Sequence, residues 1–159
     1  MTRTARPFYS IDSSALIHGW RRVYRPKNFS LVWEKLDSLI HESRLRASIE
    51  ILNELEKKDD ELFAWCKARQ EFLSVEIDDA CQLEVIRIMG AYPRLVDTAK
   101  GRSGGDPFVI ALARINRPPM TVVTEESPGK QRIPDVCTAE GIHCIGLADM
   151  IEQEDWQFR

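Results

Sequence analysis

Several features that would assign the protein to a class at once are missing from its sequence. The longest uncharged apolar stretch in its second half covers residues 107–113, whereas a membrane-spanning helix needs roughly 20 residues. The four cysteines lie far apart and form no Cys-x-x-Cys pair, so neither a disulfide framework nor a zinc site is indicated. We therefore expect a cytoplasmic protein with buried free thiols, no targeting segment and no membrane association.

The usual phosphate-binding loops are also missing. Neither a Walker-type loop nor a G-x-G-x-x-G fingerprint occurs, which argues against a nucleotide-binding enzyme. Residues 101–105 match the G-x-S-x-G pattern around Ser103, and Asp135 and His143 follow in the order of α/β-hydrolases. The preceding residues, 94–100, do not form a convincing strand and the chain is short for that fold, so a serine hydrolase remains a remote alternative.

Charge is almost balanced overall but unevenly distributed. The chain has 159 residues, with 22 Lys and Arg against 25 Asp and Glu and a net charge of −3. Residues 1–30 contain six basic side chains and a single acid, Asp12. Because local potential steers ligands more than net charge does, a polyanionic partner is compatible with this composition. An ordinary solvated surface explains the same arginines equally well.

Short hydrophobic strands alternate with helices along the chain. This alternation predicts a parallel sheet with helices on both faces, an α/β fold, and the length predicts a single domain over residues 1–159. Residues 107–113 are apolar all round, so their helix should be central and buried. We predict strands over residues 8–11, 45–48, 120–124 and 142–145, and helices that begin near Ser30, Ser48, Asp59 or Asp60, Asp78, Asp106 and Leu147.

Some details of these helices can also be predicted. Ser30 and Asp106 are expected to be N-cap residues, the latter followed by proline at the first helical position. The helix that begins near Asp78 should use four apolar side chains for packing, namely Leu83, Val85, Ile86 and Met89.

Acidic residues follow the predicted strands. Asp12 comes directly after the first strand, Glu125 and Glu126 follow the strand at 120–124, and Asp106 begins the buried helix. In a parallel α/β sheet, reactive groups gather beyond the carboxyl ends of the strands. We therefore expect these side chains to lie close together, although each also has an ordinary role as a turn or cap residue.

Helical geometry separates two further acids after the second strand. Ile51, Leu52 and Leu55 define an apolar stripe, and at about 100° per residue Glu54 lies roughly 105° from its centre and Glu50 roughly 145°. Glu54 thus borders the packed face, whereas Glu50 faces water.

Carboxylates forced together at one edge repel one another, and burial raises the free-energy cost further. A hard divalent cation such as Mg²⁺ relieves both effects and suits phosphoryl chemistry.

Four blocks of the sequence resemble the acidic motifs of PIN-domain nucleases, a family that includes the bacterial VapC-type toxins. They occur in family order and together cover nearly the whole chain. The resemblance implies a three-layer α/β/α fold with a central parallel sheet. The blocks are residues 9–14 (YSIDSS), 47–55 (ASIEILNEL), 105–111 (GDPFVIA) and 122–126 (VVTEE).

The resemblance also implies which acids bind metal and take part in catalysis. Asp12, Glu54 and Asp106 match the family's metal-binding carboxylates. Residues 124–126 are similar to the family's Thr-x-Asp segment, so Glu126 is the fourth acid, with glutamate standing where aspartate is usual.

The loop at 130–135 is longer than in the family, and Glu125 and Asp135 therefore remain alternatives for the fourth acid. Residues 133–137 (IPDVC) resemble a less-characterised PIN-like branch often found in toxin–antitoxin pairs.

The function implied is an endoribonuclease that uses one or two Mg²⁺ or Mn²⁺ ions to hydrolyse RNA and leave a 5′-phosphate. It would be the toxin of a toxin–antitoxin pair, with a cognate antitoxin as partner and a homodimeric state expected from the family. The alternative is a non-catalytic PIN-like module that binds RNA or protein. Five basic residues are candidates for contact with the RNA backbone: Arg21, Arg22, Arg25, Lys100 and Arg102.

Overall fold

A parallel five-stranded sheet organises the part of the chain that the computed structural model describes, residues 6–96 and 104–158. The strands run in the order β3-β2-β1-β4-β5, and every neighbouring pair is parallel. Helices flank the sheet, so the predicted three-layer α/β fold is confirmed. The strands are β1 (Tyr9–Ile11), β2 (Leu45–Ser48), β3 (Ser74–Val75), β4 (Thr121–Val123) and β5 (Cys144–Ile145).

The helices follow the strands along the chain. A π-helical turn, Gly19–Val23, directly continues α1. Among the described residues, none of these helices is long and apolar enough to cross a membrane. The helices are α1 (Ser13–His18), α2 (Ser30–His41), α3 (Ile49–Glu56), α4 (Glu61–Ala68), α5 (Gln70–Leu73), α6 (Asp79–Ala91), α7 (Asp106–Ile115), α8 (Ile133–Glu140) and α9 (Leu147–Gln153).

Helix α7 lies at the centre of the core, as its apolar sequence predicts. Its residues from Val109 to Ala113 are all buried, and the helix contacts β1, β2 and β4 as well as α6. The buried Ser10 hydroxyl of β1 donates a hydrogen bond to the Val109 carbonyl at 2.9 Å. This bond satisfies a polar group inside the core and holds α7 in a fixed position against the central strand.

The register of the central strands sets the ends of β1 and β4 level with each other. Tyr9 pairs with Thr121 and Ile11 with Val123. The Asp12 amide then donates to the Val123 carbonyl at 2.9 Å, which continues the ladder one residue beyond β1. Asp12 and the residues after β4 therefore leave the sheet side by side at its carboxyl edge.

At three of the predicted helix starts the side chain of the named residue is the N-cap. Ser48 accepts a hydrogen bond from the Glu50 amide at 3.3 Å, Asp60 accepts from the Phe63 amide at 3.0 Å, and Asp78 caps α6. Each satisfies a backbone N–H that the first helical turn leaves unpaired.

Two predicted caps are wrong by one residue. Ser30 and Asp106 are the first residues of α2 and α7, and the N-cap positions belong to Phe29 and Gly105. At α7 the shift has a consequence, because the Asp106 carboxyl is not used as a helix cap and turns towards other acids instead.

The predicted packing face of α6 is only partly correct. Val85 is buried, but Leu83 and Ile86 are 69% and 66% exposed and Met89 is exposed as well. The helix has apolar residues on two opposite sides, and the side that α7 covers is the one that includes Val85 and Ile88.

Candidate functional site

Asp12 lies buried at the carboxyl end of the central strand, and three donors hold its carboxylate. Oδ1 accepts from the Ser13 amide at 2.8 Å, which caps α1. Oδ2 accepts from the Ser14 hydroxyl at 2.5 Å and the Thr124 hydroxyl at 2.9 Å. Burial raises the pKa of Asp12, and these hydrogen bonds oppose the rise because they stabilise the charged form.

The same two hydroxyl groups hold the segment after β4 against Asp12. The Ser14 oxygen accepts from the Glu125 amide at 3.0 Å, and the Thr124 oxygen accepts from the Glu126 amide at 3.1 Å. Each hydroxyl thus donates to the carboxylate and accepts from the following backbone, so the direction in which Glu125 and Glu126 leave the strand is determined by bonds that include Asp12.

Glu54 links α3 to the first residues of α1 and to the residue before α7. Its Oε1 accepts from the Gly105 amide and its Oε2 from the Ser13 hydroxyl, both at 2.9 Å. Burial and the nearby Asp12 raise the pKa of Glu54, and the same hydrogen bonds oppose the rise. Glu50, by contrast, accepts from the Asn53 side-chain amide in an exposed position.

The absence of a side chain at Gly105 leaves room for the Glu54 carboxylate. A Cβ atom at this position would lie 2.1 Å from Oε1 of Glu54 and 2.9 Å from its Cδ. The close approach of the backbone is what allows the Gly105 amide to bond the Glu54 carboxylate.

Asp106 is the most strongly perturbed of these acids. It is 2% exposed, and burial raises its pKa to about 9, with the charges of Asp12, Glu126 and Glu54 and a hydrogen bond with Glu126 adding to the rise. At pH 7 the Asp106 carboxyl therefore holds a proton. Of the four acids that the resemblance implied, Asp12, Glu54 and Glu126 each come within electrostatic range of Asp106; we call these four acids the acidic cluster.

Glu126 enters this cluster from the loop after β4. Its Oε2 accepts from the Ile133 amide at 3.2 Å, at the start of α8. Its Oε1 lies 3.9 Å from the guanidinium of Arg132. The carboxylate thus lies between Asp106 and the positive end of a helix, where negative charge is favoured.

The two alternatives for the fourth acid have other partners. Glu125 accepts from the Leu147 amide at 2.7 Å, at the start of α9, and its second oxygen lies 3.9 Å from the imidazole of His18. Asp135 accepts from the Gly129 and Arg132 amides at 2.8 and 3.0 Å, which fixes the turn into α8. Of the three, the structure brings Glu126 to Asp106.

The donor chemistry of the acidic cluster fits a hard divalent cation. Every member offers carboxylate oxygens, the ligands that hard cations prefer. The raised pKa of Asp106 reflects burial and the crowding of negative charge, which a bound cation would offset as a proton does. In residues 6–96 and 104–158, however, no three His, Cys, Asp or Glu side chains converge in the geometry of a metal site. The acids are brought together without forming a coordination sphere.

The predicted RNA contacts divide into three groups. Arg21 forms an ion pair with Asp60, and the Arg25 side chain donates to the Arg21 carbonyl at 2.9 Å. Arg22 is exposed. Lys100 and Arg102 lie outside the described residues, as does Ser103 of the hydrolase alternative.

Sequence analysis missed several residues that build the site. Ser13, Ser14 and Thr124 bond directly to the acids, and all three lie inside the motif blocks, next to the acids that were singled out. Their positions were a usable signal. Arg132 also was missed, and it lies in a loop with no motif of its own.

Comparisons with known proteins identify a family and a fold. The model of a family described as "Domain of unknown function (DUF4411)" matches residues 9–158. No curated protein matches the chain. A solved structure, "Crystal structure of VapBC2 from Rickettsia felis bound to a DNA fragment from their promoter", is similar with a TM-score of 0.54 and 12% sequence identity, over 87% of this chain and 98% of that chain. At this identity the likeness shows the fold alone, which is PIN-like.

Proposed function

We propose that this chain, which belongs to the DUF4411 family of unknown function, is a divalent-metal-dependent endoribonuclease. The observation that carries the proposal is the acidic cluster at the carboxyl edge of a PIN-like sheet. Asp12 after β1, Glu54 in α3 and Glu126 after β4 interact electrostatically with Asp106 of α7 at this edge, and a purely structural role would not require four carboxylates in one place.

Asp12, Glu54, Asp106 and Glu126 would hold the metal, Mg²⁺ or Mn²⁺. When bound, such an ion supplies positive charge to the carboxylates and polarises a phosphate oxygen, which makes the phosphodiester easier to hydrolyse.

The chain's own side chains prepare the site for this chemistry. Ser14 and Thr124 fix the orientation of Asp12, and Ser13 fixes that of Glu54. The proton on Asp106 keeps the cluster from carrying four full negative charges, and a bound cation would displace this proton. Metal binding should therefore release a proton and strengthen as the pH rises.

The biological role we propose is that of a toxin in a toxin–antitoxin pair. The fold likeness to a VapBC2 structure supports a second protein as partner, and RNA is the substrate that the PIN resemblance implies. A homodimer in the cytoplasm belongs to the same proposal, as does a single domain over the whole chain.

The test is RNA cleavage by the purified protein with Mg²⁺ and with EDTA. Asp12→Asn and Asp106→Asn keep the size of each side chain and remove one ligand charge, so each should lower cleavage at least a hundredfold, on the order expected when an essential metal ligand is lost. Glu50→Gln on the exposed side of α3 is the matched control and should cleave normally.

The products should carry 5′-phosphates, and EDTA should abolish their formation. Undiminished cleavage by both Asp variants, or cleavage that persists in EDTA, would refute the assignment. RNA binding by a wild-type protein that never cleaves would instead support the non-catalytic module.

A further inference from the structure

Arg132 is the residue that precedes α8, and its side chain lies beside the acidic cluster. Its backbone is held on both sides, because its amide donates to Asp135 at 3.0 Å and its carbonyl accepts from the Val136 amide at 3.0 Å. The neighbouring Gly129 amide bonds the same Asp135 oxygen at 2.8 Å. The base of the Arg132 side chain is thus fixed by the turn that starts the helix.

The guanidinium of Arg132 has donors that nothing in the described part of the chain accepts. Its Nε is buried and makes no hydrogen bond. Its Nη2 is 3.9 Å from Oε1 of Glu126, which is an ion pair without hydrogen-bond contact. The other oxygen of Glu126 already accepts from the Ile133 amide. The Arg132 side chain as a whole is 35% exposed although its Nε is buried, so a ligand would meet the guanidinium at its Nη atoms.

Other arginines of the protein are engaged differently. Arg44, Arg69 and Arg87 each have a carboxylate oxygen within 2.6 Å. Arg46 also has a buried Nε without a partner, but its side chain donates to the Ser74 carbonyl between β2 and β3. Arg132 differs from these because it combines unused donors with a position next to the proposed site.

We propose that Arg132 binds a phosphate of the RNA backbone at the edge of the acidic cluster. The inference rests on the proposed function. A polyanion that approaches four carboxylates is repelled, and a fixed guanidinium on their border offsets part of that repulsion for the phosphate nearest the acids. The planar guanidinium pairs with phosphate oxygens through two parallel hydrogen bonds, which a lysine cannot reproduce.

This assignment changes which basic residues we expect to contact RNA. Arg21 and Arg25, chosen from charge alone, are held by Asp60 and by a backbone carbonyl. Arg132 is a substrate-binding residue in this proposal, and its role is to position the RNA rather than to take part in proton transfer.

The test measures binding of a fluorescently labelled single-stranded oligoribonucleotide by anisotropy, with Ca²⁺ in place of Mg²⁺ and over a series of salt concentrations. Arg132→Gln should weaken binding about tenfold, as expected for loss of a charge-assisted contact. The slope of log affinity against log salt should become shallower by about 0.7, as expected for the loss of one phosphate contact to a single strand.

Two further variants separate phosphate binding from a structural role. Arg132→Lys keeps the charge, so it should retain the salt slope while losing part of the affinity. Arg117→Gln is the matched control, because Arg117 lies on the opposite edge of the sheet and bonds only backbone carbonyls of Arg114 and Asn116 among the described residues. It should leave both quantities unchanged.

The outcomes distinguish this inference from the nuclease proposal. An unchanged salt slope in Arg132→Gln, or no binding of RNA by the wild-type protein, overturns the role of Arg132. If the wild-type protein binds RNA and Arg132→Gln shows the shallower slope, the role of Arg132 stands even where Mg²⁺ produces no cleavage. In a cleaving protein, Arg132→Gln should raise KM more than it lowers kcat.

Discussion

Replacing Asp106 with asparagine should make the metal-free protein more stable, and increasingly so as the pH rises. The folded protein binds a proton at Asp106 up to a pKa of about 9, whereas the ordinary value is 3.8. Between these values the folded state binds more protons than the unfolded state, so wild-type stability falls as the pH rises. The asparagine side chain has no titratable group in this pH range, so the substitution should remove this loss.

The magnitude follows from one proton per molecule. Each pH unit between the two pKa values changes the free energy of unfolding by about 1.4 kcal/mol for one proton, so the two units from pH 5 to pH 7 change it by about 3 kcal/mol. The pKa values of Asp12 and Glu54 are also raised, so a smaller slope of the same sign should remain in the variant.

Urea denaturation in EDTA at pH 5 and pH 7 measures the effect. The stability difference between Asp106→Asn and the wild type should grow by about 3 kcal/mol over this interval. Asp60→Asn is the control with the opposite sign. Burial acts to raise the pKa of Asp60, but hydrogen bonds from the Phe63 amide and Arg21 outweigh it and lower this pKa. The ionised Asp60 carboxylate therefore contributes fully to the stability of the folded state above its ordinary pKa of 3.8, and this contribution should be constant from pH 5 to pH 7. A pH-independent difference for Asp106→Asn would refute the reasoning.

Four further perturbations test the packing and the proposed metal. Gly105→Ala should cost about 1–3 kcal/mol, because the new Cβ displaces the Glu54 carboxylate and breaks its hydrogen bond with the Gly105 amide. Gly90→Ala should instead stabilise α6 by about 0.5–1 kcal/mol, since no atom lies within 4 Å of its Cβ. Urea midpoints that move in the same direction would contradict one of these two predictions. Glu154→Gln should cost about 1–3 kcal/mol at pH 7, because it removes the nearer of the two carboxylates that pair with the buried Arg44 and leaves only Glu42, at 3.3 Å, and an unchanged midpoint would argue against a stabilising role for this pair. Mg²⁺ at a hundred times its Kd should stabilise the wild-type protein by about 2.7 kcal/mol, and a melting temperature insensitive to Mg²⁺ would count against the metal.

The fold could be predicted wherever the pattern of apolar residues is compatible with only one way of burying the element. The helix at 106–115 has apolar residues on every side, so it had to be buried, and it is. Helix α6 has two apolar sides, and only the position of α7 decides which of them is covered. Strand β3 contains two residues, Ser74 and Val75, which is too short for any periodicity to show.

The acids of the candidate site were predictable one by one, but their contacts were not. The approach of Glu54 to Gly105 depends on how α3 packs against the start of α7, which no residue spacing specifies. The difference between Glu125 and Glu126 depends on the Ser14 and Thr124 bonds that orient the chain after β4. The proton on Asp106 follows from burial and crowding together, which only the assembled structure shows.

Anomalous diffraction from crystals grown with Mn²⁺ would show directly whether the acidic cluster is a metal centre. We predict an anomalous peak within about 2–2.5 Å of carboxylate oxygens of both Asp12 and Asp106, a distance typical of hard cations with oxygen ligands. Crystals of Asp106→Asn grown in the same way should lose the peak. Well-ordered wild-type crystals without a peak at this edge of the sheet, or with Mn²⁺ bound only elsewhere, would contradict the proposed metal-dependent nuclease.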